Sequence, residues 1–218
     1  MEALRADVLT PINHASNTGE ILSYDGNSFT NVAKYKDAIG LSNTPIIDDD
    51  HVVLKNGKAL SLETYRPEDR EALVAMYASM SPEAIKWGLP PYDRARIERW
   101  TTDLSSNITL LARLEQKIVG HLQLFRIPFE RRKGVGEVFI YLHQDFQNVG
   151  LGTMMMKKAI EIAKERGFHR LGLTVVADNH RAIKVYEKVG FKKEGIARDA
   201  FYGDDHRYHD EVEMGLLL

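Results

Sequence analysis

The sequence predicts an α+β protein, because runs of strand-forming residues alternate along the chain with segments of helical periodicity. Two strand-to-helix junctions carry this prediction. Residues 137–142 form a strand-like run that ends in a turn with two glycines and leads into a helical segment at residues 153–166. A second strand-like run, residues 171–176, is followed by a helical segment that begins at Asn179. With the flanking elements, the expected order is β-α-α-β-β-β-α-β-α-β-β.

The elements before the glycine turn follow from turn and cap signals. Asn56-Gly57 is a strong hairpin signal between the first strands of the main domain. Pro67 suits the first turn of a helix predicted to run through Met80. Two further helical segments are predicted, from Ser81 to Gly88 and over residues 93–104. The remaining strands are predicted at residues 108–114, 118–127, 192–198 and 208–217.

The composition is that of an ordinary globular protein, with 218 residues, 44% hydrophobic and 28% charged. A net charge of −2 gives no bulk attraction to nucleic acid or anionic membrane, so neither is an expected partner. The absence of cysteine excludes disulfides, thiolate metal sites and a thiol nucleophile. No signal segment or membrane-length apolar run of ~18–20 residues is visible. We therefore expect a soluble, cytoplasmic protein.

Residues 1–50 are expected to form an N-terminal extension, separate from a main domain of residues 51–218. The extension is rich in Asn, Ser, Thr and Asp, and two strand-like runs around residues 25–27 predict a small hairpin. Residues 34–39 are compatible with a short helix. An isolated hairpin is marginally stable in water. Three alternatives stay open: packing on the main domain, pairing with another subunit in a homodimer, or mobility.

The turn after residues 137–142 has the chemistry of a phosphate site. Its backbone N–H groups can point at an anion, and the dipole of the following helix favours negative charge there. A Walker-type loop is excluded because no lysine follows Gly152 directly, and a dinucleotide fingerprint is excluded because Met155 replaces its third glycine. A plain turn before a helix is the alternative that this pattern alone leaves open. The turn reads Gln147-Asn148-Val149-Gly150-Leu151-Gly152.

The second helical segment carries a longer pattern. Asn179 is a good N-cap, Gly190 suits a left-handed C-cap, and the apolar residues between them have helical spacing. The turn and this segment together resemble two signatures of the GNAT superfamily of N-acetyltransferases, Gln-x-x-Gly-x-Gly and Asn-x-x-Ala-x-x-x-Tyr-x-x-x-Gly-Phe. The resemblance covers roughly residues 52–218. Residues 52–66 and Gly136-Glu137 are similar to bacterial and archaeal protein-lysine acetyltransferases.

This resemblance implies a fold, an activity and a co-substrate. The fold is a mixed, mostly antiparallel twisted sheet flanked by helices, with a splayed strand pair that holds acetyl-CoA. The activity is direct transfer of acetyl from acetyl-CoA to a primary amine in a ternary complex. The acceptor stays open among a protein lysine, a protein N-terminus and a small amine, since residues 198–202 are also similar to enzymes that acetylate N-termini, amino acids or polyamines. The alternative is a non-catalytic acyl-CoA-binding sensor or assembly module.

The resemblance also assigns the cofactor-binding residues. The pyrophosphate is expected on the amides that begin the helix, the pantetheine arm beside the preceding strand, and a cofactor amide at the N-cap. The loop has Asn148-Val149 where many relatives carry Gly-Lys or Gly-Arg, so one cationic phosphate contact is expected to be missing. The predicted cofactor-binding residues are Ile140, Tyr141, Leu142, Gln147, Asn148, Val149, Gly150, Leu151, Gly152, Thr153 and Asn179.

Two catalytic residues are predicted, and no metal site. An attacking amine must be neutral, but a lysine-like amine with a pKa of ~10.4 is deprotonated in about one molecule in two thousand at pH 7, so a carboxylate base is needed. Glu137 is the leading candidate, and a solvent-facing strand residue is the alternative. Tyr186 is the expected general acid, because a phenol stays protonated at pH 7. Residues 204–210 are read as a charged loop at the substrate entrance, since ligands so spaced would alternate faces of a strand.

Overall fold

The computed structural model describes residues 50–102 and 107–218, together with three short strands nearer the N-terminus. By compactness the chain divides into two units, Met1–Thr44 and Pro45–Leu218. In the first unit, strands β1, β2 and β3 form an antiparallel sheet in which Tyr24 lies opposite Phe29. The compatible helix at residues 34–39 lies outside the described residues. The strand bounds are β1 His14–Ala15, β2 Ile21–Tyr24 and β3 Phe29–Thr30.

Within the described part of the second unit, eight strands form one sheet in the order β10-β11-β9-β8-β7-β6-β5-β4. Every neighbouring pair is antiparallel except β8 and β9, which run parallel. This is the mixed, mostly antiparallel sheet that the resemblance implies. The strand bounds are β4 Asp50–Val53, β5 Ala59–Thr64, β6 Asn107–Leu114, β7 Lys117–Arg126, β8 Val135–Leu142, β9 Arg170–Val176, β10 Lys192–Tyr202 and β11 Tyr208–Leu217.

Helices cover both faces of this sheet. Successive strand residues point to opposite faces, and on β6 the side chains of Leu110 and Ala112 join one apolar cluster while Leu111 joins another. Helices α4 and α5 contribute to the first cluster, and α1, α2 and α3 to the second. The helix bounds are α1 Arg70–Ala78, α2 Pro82–Ile85, α3 Arg94–Thr102, α4 Leu151–Glu165 and α5 His180–Lys188.

Several element boundaries differ from the sequence predictions. The helix expected from Pro67 to Met80 begins as a 3-10 turn at Pro67–Asp69, and only then becomes α1. Strand β10 extends to Tyr202 rather than ending at residue 198, because β11 continues beside it and Tyr202 pairs with Tyr208. The pairing passes an irregularity that contains Asp199 at a φ of 52°. A local pattern cannot anticipate such an extension, because the partner strand supplies its hydrogen bonds.

Strands β8 and β9 separate after a short parallel contact. They pair only from Val135 opposite Arg170 to Glu137 opposite Gly172. Beyond that point β8 stays with β7 as far as Leu142, and β9 stays with β11 as far as Val176. The sheet therefore opens into a gap between Val138–Leu142 and Leu173–Val176, which we call the β8–β9 gap. This is the splayed strand pair that the resemblance implies.

Candidate active site

The backbone of β8 presents unpaired groups to the β8–β9 gap. In an antiparallel pair, residues alternate between those that bond their partner and those that do not. The N–H of His143 donates to the carbonyl of Val119 at 3.0 Å, so Leu142, one residue earlier, turns its N–H and C=O away from β7. By the same alternation Ile140 also faces the gap. An extended ligand with amide groups can therefore pair with β8 as a strand would.

The loop after β8 ends in the same region. Gln147 donates from its side-chain Nε2 to the carbonyl of Leu142 at 3.1 Å, which ties the loop to the strand end. Asn148 and Gly150 both have positive φ, 61° and 94°. A left-handed residue is readily supplied by glycine, and alternating conformations of this kind turn successive N–H groups towards one side. The loop thus enters helix α4 with its backbone donors exposed.

The first turn of α4 holds three N–H groups without a helical acceptor. The first intrahelical bond recorded at its N-terminus runs from Met154 to the carbonyl of Gly150, at 3.2 Å. The N–H groups of Leu151, Gly152 and Thr153 precede it and are the usual unsatisfied donors of a helix start. A Cβ added at Gly152 would lie 3.3 Å from Leu142 Cδ1. The site therefore combines a row of N–H donors with close backbone packing, and these features fit the diphosphate of coenzyme A.

Helix α5 forms the other side of the site. Its N-cap, Asn179, accepts a hydrogen bond from the N–H of Ala182 at 3.2 Å, as the sequence predicts. This bond uses the side-chain oxygen of Asn179 and leaves its amide nitrogen for another acceptor. A Cβ added at Gly152 would also lie 3.9 Å from Val185 Cγ1, so the start of α4 and the middle of α5 are in contact.

Tyr186 lies one residue further along α5, and its side chain is 8% exposed. Burial, with a smaller contribution from Tyr141 nearby, raises the pKa of Tyr186 well above its ordinary value. Among the described residues, the enclosed side-chain atoms without a hydrogen-bond partner belong to Tyr65, Arg70 and Arg166. The Tyr186 hydroxyl is not one of them, and no described residue bonds it. It is therefore protonated at neutral pH and open to a ligand.

Comparison with known proteins decides the family. The model of the acetyltransferase (GNAT) family matches residues 72–191, more than half of the chain. The chain belongs to the GNAT family. A solved acetyltransferase of this family from Streptococcus pneumoniae shares 28% identity and a TM-score of 0.65, and the match covers 73% of this chain and 99% of that one.

Two curated relatives are similar over a shorter stretch. The chain is 34% identical over 90 residues to the L-amino acid N-acetyltransferase of Escherichia coli K12. This match covers 41% of this chain and 56% of that protein. It is 36% identical over 79 residues to the [ribosomal protein bS18]-alanine N-acetyltransferase of Salmonella typhimurium. This match covers 36% of this chain and 53% of that protein. The chain thus spans about half the length of the curated relatives that it matches.

In this GNAT chain Tyr141 is turned away from the gap. Its backbone pairs with His121 of β7, and its ring lies on the opposite sheet face from Ile140 and Leu142. The Tyr141 hydroxyl accepts a hydrogen bond from the hydroxyl of Tyr92 at 2.8 Å. Burial raises the pKa of Tyr141 above its ordinary value. The backbone of Tyr141 cannot pair with a ligand in the gap, so any contact with coenzyme A must come from its ring.

Glu137 stands apart from the group formed by Leu142, the α4 start and Tyr186. Its side chain is exposed, at the closed end of the gap. It shares a sheet face with Phe139 and Tyr141, and four residues of strand separate it from Tyr141 by roughly 13 Å. The ring of Phe139 lies between them and packs on Tyr141 with centroids 5.6 Å apart. Glu137 as a base stays a prediction.

An aromatic cluster under α1 and α3 went unrecognised in the sequence. Tyr77 stacks on Tyr92 with ring centroids 5.0 Å apart and also packs against Trp100 at 5.8 Å. The Tyr77 hydroxyl lies 2.7 Å from Nδ1 of His121, which is fully buried and whose pKa burial lowers to about 4. The neutral imidazole of His121 accepts a hydrogen bond from the Tyr77 hydroxyl, and the ring of Tyr77 also packs against Tyr141. The aromatic residues of this cluster are far apart in the sequence, so no local sequence pattern predicts that they pack together.

On β11, beside the residues that precede Asn179, a histidine is hydrogen-bonded between two carboxylates. His209 of β11 lies 2.6 Å through Nδ1 from Asp178 and 3.0 Å through Nε2 from Asp205, and its ring packs edge-on against Trp87. Hydrogen bonds to Asp205 and then Asp178 raise the pKa of His209. The same bond, followed by one to Arg207, holds the pKa of Asp205 well below its usual range.

A cleft of about 390 Å³ opens beside this histidine. It joins the residues just before Asn179 to the β10–β11 turn, which the sequence predicted to border the substrate entrance. Among the described residues, no helix is long and apolar enough to cross a bilayer, and no three acidic or histidine side chains are arranged to hold a metal ion. The cleft is lined by Ala177, Asp178, Arg207, Tyr208, His209 and Asp210.

Proposed function

We propose that this GNAT protein transfers an acetyl group directly from acetyl-CoA to a primary amine. The observation that carries the proposal is the β8–β9 gap, into which Leu142 turns an N–H at one end of the row of donors that starts α4. A ligand that fills both regions needs an anion in its middle and amide groups along one arm. Coenzyme A has this form, and as a thioester it supplies an activated acetyl group.

Different residues of the chain would bind different parts of coenzyme A. The N–H groups of Leu151, Gly152 and Thr153 would hold the diphosphate, with the α4 dipole favouring its charge. The backbone groups of Ile140 would pair with the amide-bearing arm. Other members of the predicted set act through shape: Gln147 braces the strand end, and Asn148, Val149 and Gly150 set the course of the loop. Asn179 would donate from its free amide nitrogen.

Leu142 and Tyr186 would serve the reacting end. The N–H of Leu142 would bond the carbonyl oxygen of the acetyl group, and a fixed donor there would stabilise negative charge as an amine attacks. The Tyr186 hydroxyl, kept protonated by burial, would give its proton to the departing sulfur. Glu137 would take the proton from the amine through water. No cysteine is present in the 218 residues to carry the acetyl group, which supports transfer in a ternary complex.

The acceptor is proposed by class. The names of two relatives, an L-amino acid N-acetyltransferase and a ribosomal-protein-alanine N-acetyltransferase, support an amine on an amino acid or protein. A protein lysine, a protein N-terminus and a small amine all satisfy the chemistry. The cleft beside His209 is the expected approach, since it begins next to Asn179. We place the reaction in the cytoplasm as part of this proposal, because acetyl-CoA is an intracellular metabolite.

One observation favours a second candidate, a non-catalytic acyl-CoA-binding sensor or assembly module. Glu137 is exposed and stands about 13 Å along the strand from Tyr141, so an efficient base is not in place at the gap. A binding module would keep the loop and need no base. The open hydroxyl of Tyr186 weighs against this reading, because a buried tyrosine that served packing alone would gain from a hydrogen-bond partner.

An acceptor screen separates the two candidates. The chain is incubated with acetyl-CoA and a panel of lysine peptides, peptides with free N-termini, amino acids and polyamines, and thiol release is followed together with product mass. An acetyltransferase gives thiol release that depends on one acceptor class, with a product 42 Da heavier, a mass set by the acetyl group. Tight coenzyme A binding without acceptor-dependent thiol release across the panel supports the binding module.

A further inference from the structure

A second element, the β4–β5 hairpin, contacts the phosphate loop. The β4–β5 hairpin turns at residues 54–58, and the N–H of Lys55 donates to the carbonyl of Val149 at 3.1 Å. The Lys55 side chain then runs along the loop: its Cγ, Cδ and Cε lie 3.6, 3.9 and 3.8 Å from the position of a Cβ added at Gly150. Lys55 is therefore held beside the residue that caps α4.

The hairpin that carries Lys55 is anchored at several points. Leu54 is buried in the core, and its N–H donates to the carbonyl of Lys58 at 2.9 Å. Lys58 places its ammonium 5.1 Å from the ring centroid of Phe146, in the loop itself. Lys158 of α4 forms an ion pair with Asp50 at the start of β4. The Lys55–Val149 hydrogen bond and the Lys58–Phe146 contact thus join the hairpin to the loop, and the Lys158–Asp50 ion pair joins β4 to α4.

The loop itself lacks a cation. Residues 144–153 contain no lysine or arginine and one carboxylate, Asp145. A diphosphate at the start of α4 adds further negative charge, which the helix dipole offsets only in part. Lys55 is exposed, and none of the carboxylates in residues 50–102 and 107–218 forms an ion pair with it. Among the described residues its charge is therefore uncommitted, at the place where the ligand would bring the opposite charge.

We propose that Lys55 supplies, from the β4–β5 hairpin, the cation for the diphosphate of coenzyme A that the loop does not carry. The inference rests on the proposed function, and it names a binding residue outside the loop and outside both sequence signatures. It also gives the hairpin a role: the strand pair delivers a charge to the start of α4. A lysine suits this role because its ammonium acts as a point charge on a flexible stem and needs no fixed geometry.

The test is a binding measurement on the full chain. Titration calorimetry with coenzyme A and with dephospho-coenzyme A, each at low and high salt, compares the wild type with Lys55→Met and Lys55→Arg. We expect Lys55→Met to weaken both ligands about five- to tenfold at low salt, the range for a solvent-exposed contact to a charged group. The difference should shrink at high salt because exposed charges are screened. Lys55→Arg should restore most of the affinity.

The matched control is Lys164→Met, which removes the same charge from an exposed position in the last turn of α4. It should leave both affinities unchanged. Equal affinity for Lys55→Met and wild type overturns the inference and leaves the proposed function intact. If Lys55→Met weakens binding of coenzyme A but not of dephospho-coenzyme A, Lys55 contacts the 3′-phosphate, and its proposed place at the diphosphate is overturned. If Lys55→Arg loses as much affinity as Lys55→Met, the effect comes from the aliphatic part of the lysine side chain and not from its charge, which also overturns the inference. Wild type that binds neither ligand overturns the proposed function instead.

Discussion

Glu137 and Gly172 are the last residues paired between β8 and β9. One position earlier, Gly136 makes the closest contacts at this closed end of the gap. A Cβ added at Gly136 would lie 2.5 Å from Phe168 Cε1 and 2.8 Å from the carbonyl oxygen of Phe125. Gly136 therefore has no room for a side chain between Phe125 of β7 and Phe168, and the gap opens beyond this point.

Gly136→Ala should consequently destabilise the fold. The methyl group must displace a backbone carbonyl and a buried ring, and overpacking of this kind costs about 1–3 kcal/mol. Gly172→Ala is the matched control on the facing strand, because its nearest atom would lie at 3.9 Å, an ordinary contact. Urea unfolding measures the free energy of both variants. Equal stability of the two would show that the closed end of the gap is not tightly packed.

Tyr186→Phe should lower turnover about 100-fold or more and leave coenzyme A affinity nearly unchanged. The change removes the proton for the departing sulfur and keeps the ring in its buried place, and general acid catalysis is worth about 10²–10⁴-fold. The rate of thiol release gives the turnover, and titration calorimetry gives the coenzyme A affinity. Full turnover at neutral pH in a variant that binds coenzyme A would remove Tyr186 as the acid.

The pH profile of the wild type offers an independent check on Tyr186. Its pKa is raised above the ordinary value of ~10, so the hydroxyl keeps its proton throughout pH 6–9 and no loss of turnover in that range should come from it. Its effect on stability has the corresponding sign: the unfolded tyrosine ionises first, so stability falls as pH rises above about 10. An alkaline loss of turnover below pH 9 that disappears in Tyr186→Phe would contradict this account.

Glu137→Gln should reduce kcat/KM most strongly at pH 6–7, where the acceptor amine is almost entirely protonated. Proton removal by a positioned carboxylate matters less as the pH approaches the pKa of the amine. Glu115→Gln, in the exposed β6–β7 turn, is the control for loss of a surface carboxylate. Rates measured from pH 6 to 9 that match the wild type at every point would remove Glu137 as the base.

His209→Gln should cost stability at pH 6 and cost less at pH 9. The carboxylates raise the pKa of His209, so the imidazolium stabilises the fold fully below the unfolded value of ~6.5, and this contribution fades as pH rises through the folded pKa. Urea midpoints at the two pH values give the difference. His206→Gln, an exposed histidine in the same turn, is the control. A larger loss at pH 9 than at pH 6 would reverse the assigned charge of His209.

Sequence patterns predicted the features that depend on neighbouring residues. Asn179 caps α5 with its own side chain, and Gly190 takes the left-handed conformation that ends α5, so local chemistry decides both. Contacts between distant elements escaped prediction. Lys55 lies beside Gly150 because a hairpin and a loop 95 residues apart meet at one edge of the sheet. The orientation of Tyr141 depends on strand register, which a one-residue shift would reverse.

For Glu137, the sequence predicts the strand on which it lies but not its surroundings. The pattern places a carboxylate on the strand before the loop, and the structure keeps it on that strand. Along that strand, however, Phe139 lies between Glu137 and Tyr141, and its ring packs against Trp100 of α3 and against Tyr141. A signature records residue types along one chain segment, whereas catalysis depends on side chains that four segments bring together.

The most direct measurement of the central claim is titration calorimetry of the full chain with coenzyme A. Binding in the β8–β9 gap and at the start of α4 predicts a saturable isotherm with one ligand per chain, and Gly152→Val should abolish it because a branched side chain would press on Leu142 and Val185. Saturation at micromolar concentration that Gly152→Val removes is the expected result. No heat of binding from wild type at millimolar coenzyme A would contradict the account.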